Sequence, residues 1–311
     1  METNVQKDLR RVVNLQVSMG CDKNCEPCAK YFDCTSKLRY DIYKNPALRK
    51  IEARMAKIKH KIAIMSGKGG VGKSTATGML AGAFSLLGAK VGVLDSDFYG
   101  PSMATIMGVS GKPMMISDDG LIPVKNEEGV VVASVASTLG ETDYVTWMGD
   151  QIRWALYTFL GNTVWGEIDF LLIDLPPGTG EETLNVMKAI RGLSGGVIVT
   201  IPSEVSQVVV GRGITLCKRA NTNVLGLIEN MGTLICPKCN NNIDVFMSGG
   251  GKRIADKMDV RFLGTVPLDG KVSEACDEGI SYLAKFPDTD AAKIFKRIAN
   301  NILEQLEWSS S

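Results

Sequence analysis

Residues 67–75 read Gly67-Lys68-Gly69-Gly70-Val71-Gly72-Lys73-Ser74-Thr75. The spacing of the outer glycines with Lys73 and Ser74 is that of a phosphate-cradling loop, G-x-x-x-x-G-K-[ST]. In such a loop backbone N–H groups wrap the phosphates, Lys73 reaches the β- and γ-phosphates, and the Ser74 hydroxyl meets Mg2+. Upstream, residues 61–66 form a short apolar run suited to a buried strand. Downstream, residues 75–87 are rich in Ala, Leu and Met and hold no proline, as a helix requires. Strand, loop and helix in this order place the loop at a helix N-terminus, where free N–H groups and the macrodipole favour an anion. Lys68 is a second lysine with no task inside its own subunit. A cation on the rim of a phosphate nest is best used by a nucleotide facing it, so the sequence predicts a dimer in which Lys68 reaches the partner's ATP.

From residue 61 onward strand and helix patterns alternate. Residues 91–95, 130–135, 170–174, 197–201, 224–229 and 262–266 are short apolar runs, several rich in Val and Ile, as expected of strands buried on both faces. Helical patterns lie between many of them, which predicts an α/β fold with a doubly wound, mostly parallel sheet. Three parts follow: a cysteine-rich N-terminal segment over 1–44, a connecting helix over 45–60 and a nucleotide domain over 61–311. In the connecting helix Asn45 can cap, Pro46 suits the first helical position, and Leu48, Ile51, Met55 and Ile58 share a face. A closing helix carries the stripe Ile294, Phe295, Ile298, Ile302, Leu303 and Leu306.

The 311 residues are long enough for a substantial core, and 45% hydrophobic with 22% charged residues fits an ordinary soluble protein. The formal charge of +1 hides an uneven distribution: residues 1–61 hold 14 Lys and Arg against 7 Asp and Glu, leaving 21 against 27 for the rest. No aromatic-rich module accompanies the basic front end, so a solvated basic face is expected rather than a nucleic-acid site. No apolar stretch approaches the length of a membrane span and residues 1–15 lack a signal-peptide core, so the expected compartment is the cytoplasm. Thiols stay reduced there, and 8 cysteines need an explanation other than disulfides.

Two further runs end in carboxylates. Residues 91–94 lead into Asp95-Ser96-Asp97-Phe98-Tyr99-Gly100-Pro101-Ser102, and residues 170–173 lead into Asp174-Leu175-Pro176-Pro177-Gly178-Thr179-Gly180. Carboxyl ends of parallel strands are where α/β proteins place ligands. An apolar run ending in Asp is the form of the second NTPase motif, whose carboxylate holds Mg2+ directly or through water. Asp95 also reads as a turn or helix cap. Together the three motifs resemble the MinD/ParA class of dimeric P-loop ATPases. Within it, residues 99–102 and 175–180, with Glu229-Asn230-Met231 ahead of Cys236-Pro237-Lys238-Cys239, resemble the Mrp/Nbp-type iron–sulfur cluster carriers. The resemblance covers about residues 61–285. It implies a P-loop NTPase fold with Lys73 and Lys68 on phosphates, Ser74 on Mg2+, Asp97 near the attacking water and Asp174 supporting Mg2+. It also implies Asn230 reading adenine, with Pro267 and Asp269 near the base. Ser96, in place of a small apolar residue, and Glu181, where Asp is commoner, depart from the family pattern.

Cys236 and Cys239 are two thiols three positions apart, whereas zinc or a [4Fe–4S] cluster normally takes four ligands. One chain supplies half a site, which again predicts a dimer, with the pair from each subunit completing a bridging cluster, as the resemblance also implies. A zinc site of the same geometry and a redox-active dithiol are the competing readings. The N-terminal set, Cys21-x3-Cys25-x2-Cys28-x5-Cys34, puts four thiols in one short segment. Its compact spacing is closer to ferredoxin-type [4Fe–4S] ligation than to paired zinc knuckles, with zinc as the alternative. The last three of these cysteines match the Nbp-type branch; Cys21 departs from it. Cys217 and Cys276 read as packing residues, and His60 as a solvated linker residue.

The expected function is an ATP-binding carrier that assembles a labile [4Fe–4S] cluster at a homodimer or heterodimer interface and passes it to apo iron–sulfur proteins, with slow ATP hydrolysis. The alternatives are a spatial-organising ATPase, which leaves the clustered cysteines idle, and an electron donor like the nitrogenase iron protein.

Overall fold

A computed structural model describes residues 21, 23–28, 30–138, 146–235, 238, 239, 241–244 and 249–309. They fall into two compact units divided between Asn45 and Pro46. In the smaller unit, successive turns through Cys25, Cys28 and Tyr31 lead into short 3-10 helices at Tyr31–Asp33 and Lys37–Lys44. Ser36 starts the second by accepting from the Leu38 N–H, and the Arg39 guanidinium lies over the Tyr31 and Tyr40 rings.

The larger unit holds β1 (His60–Ser66), β2 (Val91–Asp95), β3 (Met115–Ser117), β4 (Gly120–Ile122), β5 (Val124–Lys125), β6 (Val131–Ala133) and β7 (Phe170–Asp174). They are followed by β8 (Gly195–Thr200), β9 (Val224–Glu229), β10 (Thr233–Ile235), β11 (Asn242–Asp244) and β12 (Phe262–Thr265). Eight of them form one sheet in the order β12-β9-β8-β1-β7-β2-β6-β5. Every neighbouring pair is parallel except β5 with β6 at one edge. The mostly parallel, doubly wound sheet expected from the alternating runs is what the chain builds. β3 with β4 and β10 with β11 form separate antiparallel pairs.

The pleat explains the continuous apolar runs. Ile62, Ile64, Phe170, Leu172, Val197 and Val199 point into one core shared with the helices Lys73–Leu86 and Asp290–Gln305. The alternating residues Ala63, Met65, Leu171, Ile173 and Ile198 are equally buried and face the other side, where Cys217 of the helix Glu204–Arg219 meets Met65. Both faces are therefore covered, as a parallel sheet demands. The helix Pro46–Met55 buries Leu48, Ile51 and Met55, and the Lys61 ammonium caps its end by donating to the carbonyls of Met55 and Ile58. His60 corrects the linker reading: it opens β1, and its ring stacks on Phe170 with centroids 4.9 Å apart. Burial lowers its pKa below the ordinary value.

Candidate nucleotide site and cysteine hairpin

β1 ends at Ser66, and the glycine loop then turns into the helix Lys73–Leu86. Gly72 caps that helix in the left-handed region, φ 77°, and a Cβ there would lie 2.2 Å from the Asn230 Nδ2. Only glycine meets both demands. Asn230 uses the space: its Nδ2 donates to the Val71 carbonyl at 2.9 Å, tying the end of β9 to the loop.

β7 delivers Asp174, fully buried, beneath the loop. Its Oδ2 accepts from the Lys73 Nζ and the Ser74 Oγ, both at 2.6 Å, and its Oδ1 accepts from the Thr77 Oγ1 at 2.6 Å. A buried carboxylate is tolerated when its lone pairs are taken in this way. Ser96 donates its backbone N–H and its hydroxyl to the Asp174 carbonyl, at 3.0 and 2.7 Å. Ser96, one of the two departures from the family pattern, therefore holds the strand end that carries Asp174.

Asp95 lies beside Asp174 in register on β2. Its oxygens accept from the N–H groups of Asp97 and Met103 and from the Ser134 hydroxyl. Burial first, and then the Asp174 charge, push its carboxyl up to about 7. The turn-and-cap reading of Asp95 thus describes its hydrogen bonds, while its place next to Asp174 makes it part of the site's electrostatics.

Two clefts open here. One of about 290 Å3 is lined by Lys68, Gly69, Gly70, Gly72, Lys73, Ser74, Asp97 and Pro177, among others. The second, about 470 Å3, is lined by Asn230, Pro267, Asp269 and Cys276, and shares Thr75, Ser102 and Ile106 with the first. The continuity of the two matches a ligand with a phosphate tail and a larger, flatter head. Asp269 also caps the helix Gly270–Glu278 through Lys271 N–H and accepts from the Tyr282 hydroxyl at 2.6 Å. The Lys68 ammonium lines the first cleft and makes no ion pair among the described residues.

A family model for the NUBPL iron-transfer P-loop NTPases of the ParA group matches residues 57–303. The chain belongs to that family. An iron-sulfur cluster carrier protein of Methanocaldococcus jannaschii is 43% identical over 290 residues, 92% of this chain and 98% of its own. One from Methanococcus maripaludis is 38% identical over 288 residues, with the same coverage. Among solved structures, a nucleotide-binding protein of Archaeoglobus fulgidus in complex with ADP superposes with a TM-score of 0.69 at 38% identity, covering 80% of this chain and 96% of that one. The cell-division ATPase MinD of Pyrococcus furiosus, at 21% identity and a TM-score of 0.61, shares the fold.

In this NUBPL-type NTPase the sequence reading missed Thr77 and Ser134. Thr77 stands three residues after Ser74, on the same helix face, and a hydroxyl within an Ala-rich stretch was the available signal. Ser134 reaches Asp95 from a neighbouring strand end, and nothing local marks it. Cys276 is buried as expected, yet it also lines the second cleft together with Thr75; burial raises its pKa. Cys217 is fully buried.

Cys239 is exposed in the connection between β10 and β11, while Cys236 lies outside the described residues. Cys21 is exposed and Cys25, Cys28 and Cys34 are half-buried. Among the described residues no three Cys, His, Asp or Glu side chains converge as a metal cage, so the four N-terminal thiols are near in sequence without being gathered. Their chemistry suits a thiophilic metal or cluster, and ligation would draw the turns at 25–34 together. No helix among the described residues is long and apolar enough to cross a membrane.

Proposed function

We propose that this protein is an ATP-dependent carrier of iron–sulfur clusters, in which the nucleotide site governs how firmly the cysteine hairpin holds its cargo. The observation that carries the reading is the tie between the two: Asn230 bonds to the Val71 carbonyl of the phosphate loop, and the β10–β11 hairpin bearing Cys239 begins three residues later. A change at the phosphates therefore reaches the hairpin through one hydrogen bond and three residues of chain. The names of the M. jannaschii and M. maripaludis relatives support the nature of the cargo.

Backbone N–H groups at the loop and the first helical turn bind phosphate oxygens, and Lys73 moves from Asp174 to the phosphates as they arrive. Ser74 Oγ and Asp174 Oδ2, hard oxygen donors 2.6 Å apart, suit Mg2+, which would neutralise charge on the β- and γ-phosphates. Asp97 orients the attacking water, and Asn230, Pro267 and Asp269 surround the base. Lys68 acts on the nucleotide of a second subunit. The paired chains bring two sets of Cys236 and Cys239 together, and the four thiols hold a [4Fe–4S] cluster destined for apo-proteins in a reducing, cytoplasmic compartment.

Anaerobic reconstitution with iron and sulfide tests this. With one N-terminal cluster and half of a shared one, about six irons per chain are expected, falling to about four in a Cys236→Ser/Cys239→Ser variant. Equal rates of cluster release to an acceptor with ATP, with ADP and without nucleotide would overturn the coupling.

A further inference from the structure

Glu229, the last residue of β9, is a fully buried carboxylate that the nucleotide chemistry leaves unused. Both oxygens are engaged: Oε2 accepts from the Gly251 N–H at 2.5 Å and Oε1 from the Thr265 hydroxyl at 3.0 Å. Gly251 stands in the first turn of the helix Gly250–Met258, which follows Cys236 and Cys239 in the sequence. A Cβ on Gly251 would lie 2.9 Å from the Glu229 Cβ and 3.0 Å from its Oε2, so glycine alone lets the returning chain seat on this carboxylate.

The outgoing end is held as closely. Gly232 N–H donates to the Val266 carbonyl at 2.9 Å, and Leu268 N–H donates to the Thr233 carbonyl at 3.1 Å. These two bonds flank Pro267, which lines the second cleft. Consecutive residues at the end of one strand thus divide the work: Asn230 grips the phosphate loop, and Glu229 grips the N-terminus of the helix Gly250–Met258. An ionised acceptor at a helix N-terminus makes a stronger bond than a neutral one, and it repays its desolvation only while its donors stay in place.

We propose that Glu229 is a positioning residue that clamps the helix Gly250–Met258 to the end of β9, so that movement of the phosphate loop at Asn230 is transmitted to Cys239. The proposal rests on the carrier reading only in taking nucleotide state to act on the cysteines.

The test is the peptide-resolved alkylation rate of Cys239 by iodoacetamide in the full, iron-free chain with ATP and with ADP. In the unsubstituted protein the two rates are expected to differ by about fivefold or more, a usual size for coupling between sites. Glu229→Gln is expected to bring that ratio close to one while ATP affinity stays within about twofold. Gly251→Ala, which drives a methyl group against the same carboxylate from the other side, is expected to do likewise, and Thr265→Val to lower the ratio partway. A nucleotide-binding Glu229→Gln or Gly251→Ala protein that keeps the full ratio overturns the clamp. A ratio of one in the unsubstituted protein that nevertheless binds iron overturns it too and leaves cluster carriage standing. An intact ratio that the variants abolish, in a chain that binds no iron, supports the clamp and removes the carriage.

Discussion

Removing the Asp174 carboxylate strands the Lys73 ammonium, which is 6% exposed, away from water and without its counter-charge. Breaking a buried pair from one side costs about 3 to 5 kcal/mol, so Asp174→Ala is expected to lose that much in urea unfolding and to lose Mg2+-dependent nucleotide binding in a titration. Asp95 sets a pH dependence of opposite sense to an ordinary ion-paired carboxylate. Its folded-state pKa is raised from 3.8 to about 7, so the native state keeps a proton that the unfolded chain gives up. Stability from this group is therefore highest below pH 4, falls as pH climbs toward 7 and is level above. The slope is at most about 1.4 kcal/mol per pH unit. Asp95→Asn is expected to flatten that fall in denaturation measured across pH 4 to 8, and an unchanged slope would refute the assignment.

Elements position these residues through a few contacts that small residues permit. Gly72→Ala forces a left-handed backbone on alanine and places its methyl on the Asn230 amide. A left-handed residue costs about 1–2 kcal/mol, and nucleotide affinity is expected to drop at least about tenfold, the equivalent of 1.4 kcal/mol, with wild-type binding as the result that contradicts it. The strands β2, β7 and β9 were legible because strands buried on both faces leave unbroken apolar runs ending in polar residues. The phosphate loop was legible because its glycines and lysine are needed at fixed spacing. The pairs β3 with β4 and β10 with β11 were not: each strand has three residues, too few for an alternating pattern. Ser134 escaped for another reason, since its hydroxyl serves Asp95 from 39 residues away, and such partners are set by sheet order. The role of Glu229 was hidden likewise, because Gly251 and Thr265 reach it only after β9 and β12 align.

At the scale of the whole molecule, the proposed second copy rests on the cleft-lining Lys68, which makes no ion pair among the described residues. Lys68→Ala is expected to bind ATP within about twofold of wild type yet to lose at least about tenfold in hydrolysis rate, as removal of a charge stabilising phosphoryl transfer does. Full turnover in that variant would sink the cross-subunit assignment. Distribution of sulfur across the fold has its own consequence. Cys217 packs against the Met65 sulfur with its thiol pushed up to about 11 by burial, while Cys21 and Cys239 stand in solvent. Oxidants, electrophiles and incoming metal thus meet a chain already sorted into inert interior sulfur and available surface sulfur. Oxidation therefore begins at the exposed thiols and leaves the interior ones intact, and on the proposed carrier reading a bound cluster would also shield the thiols that hold it.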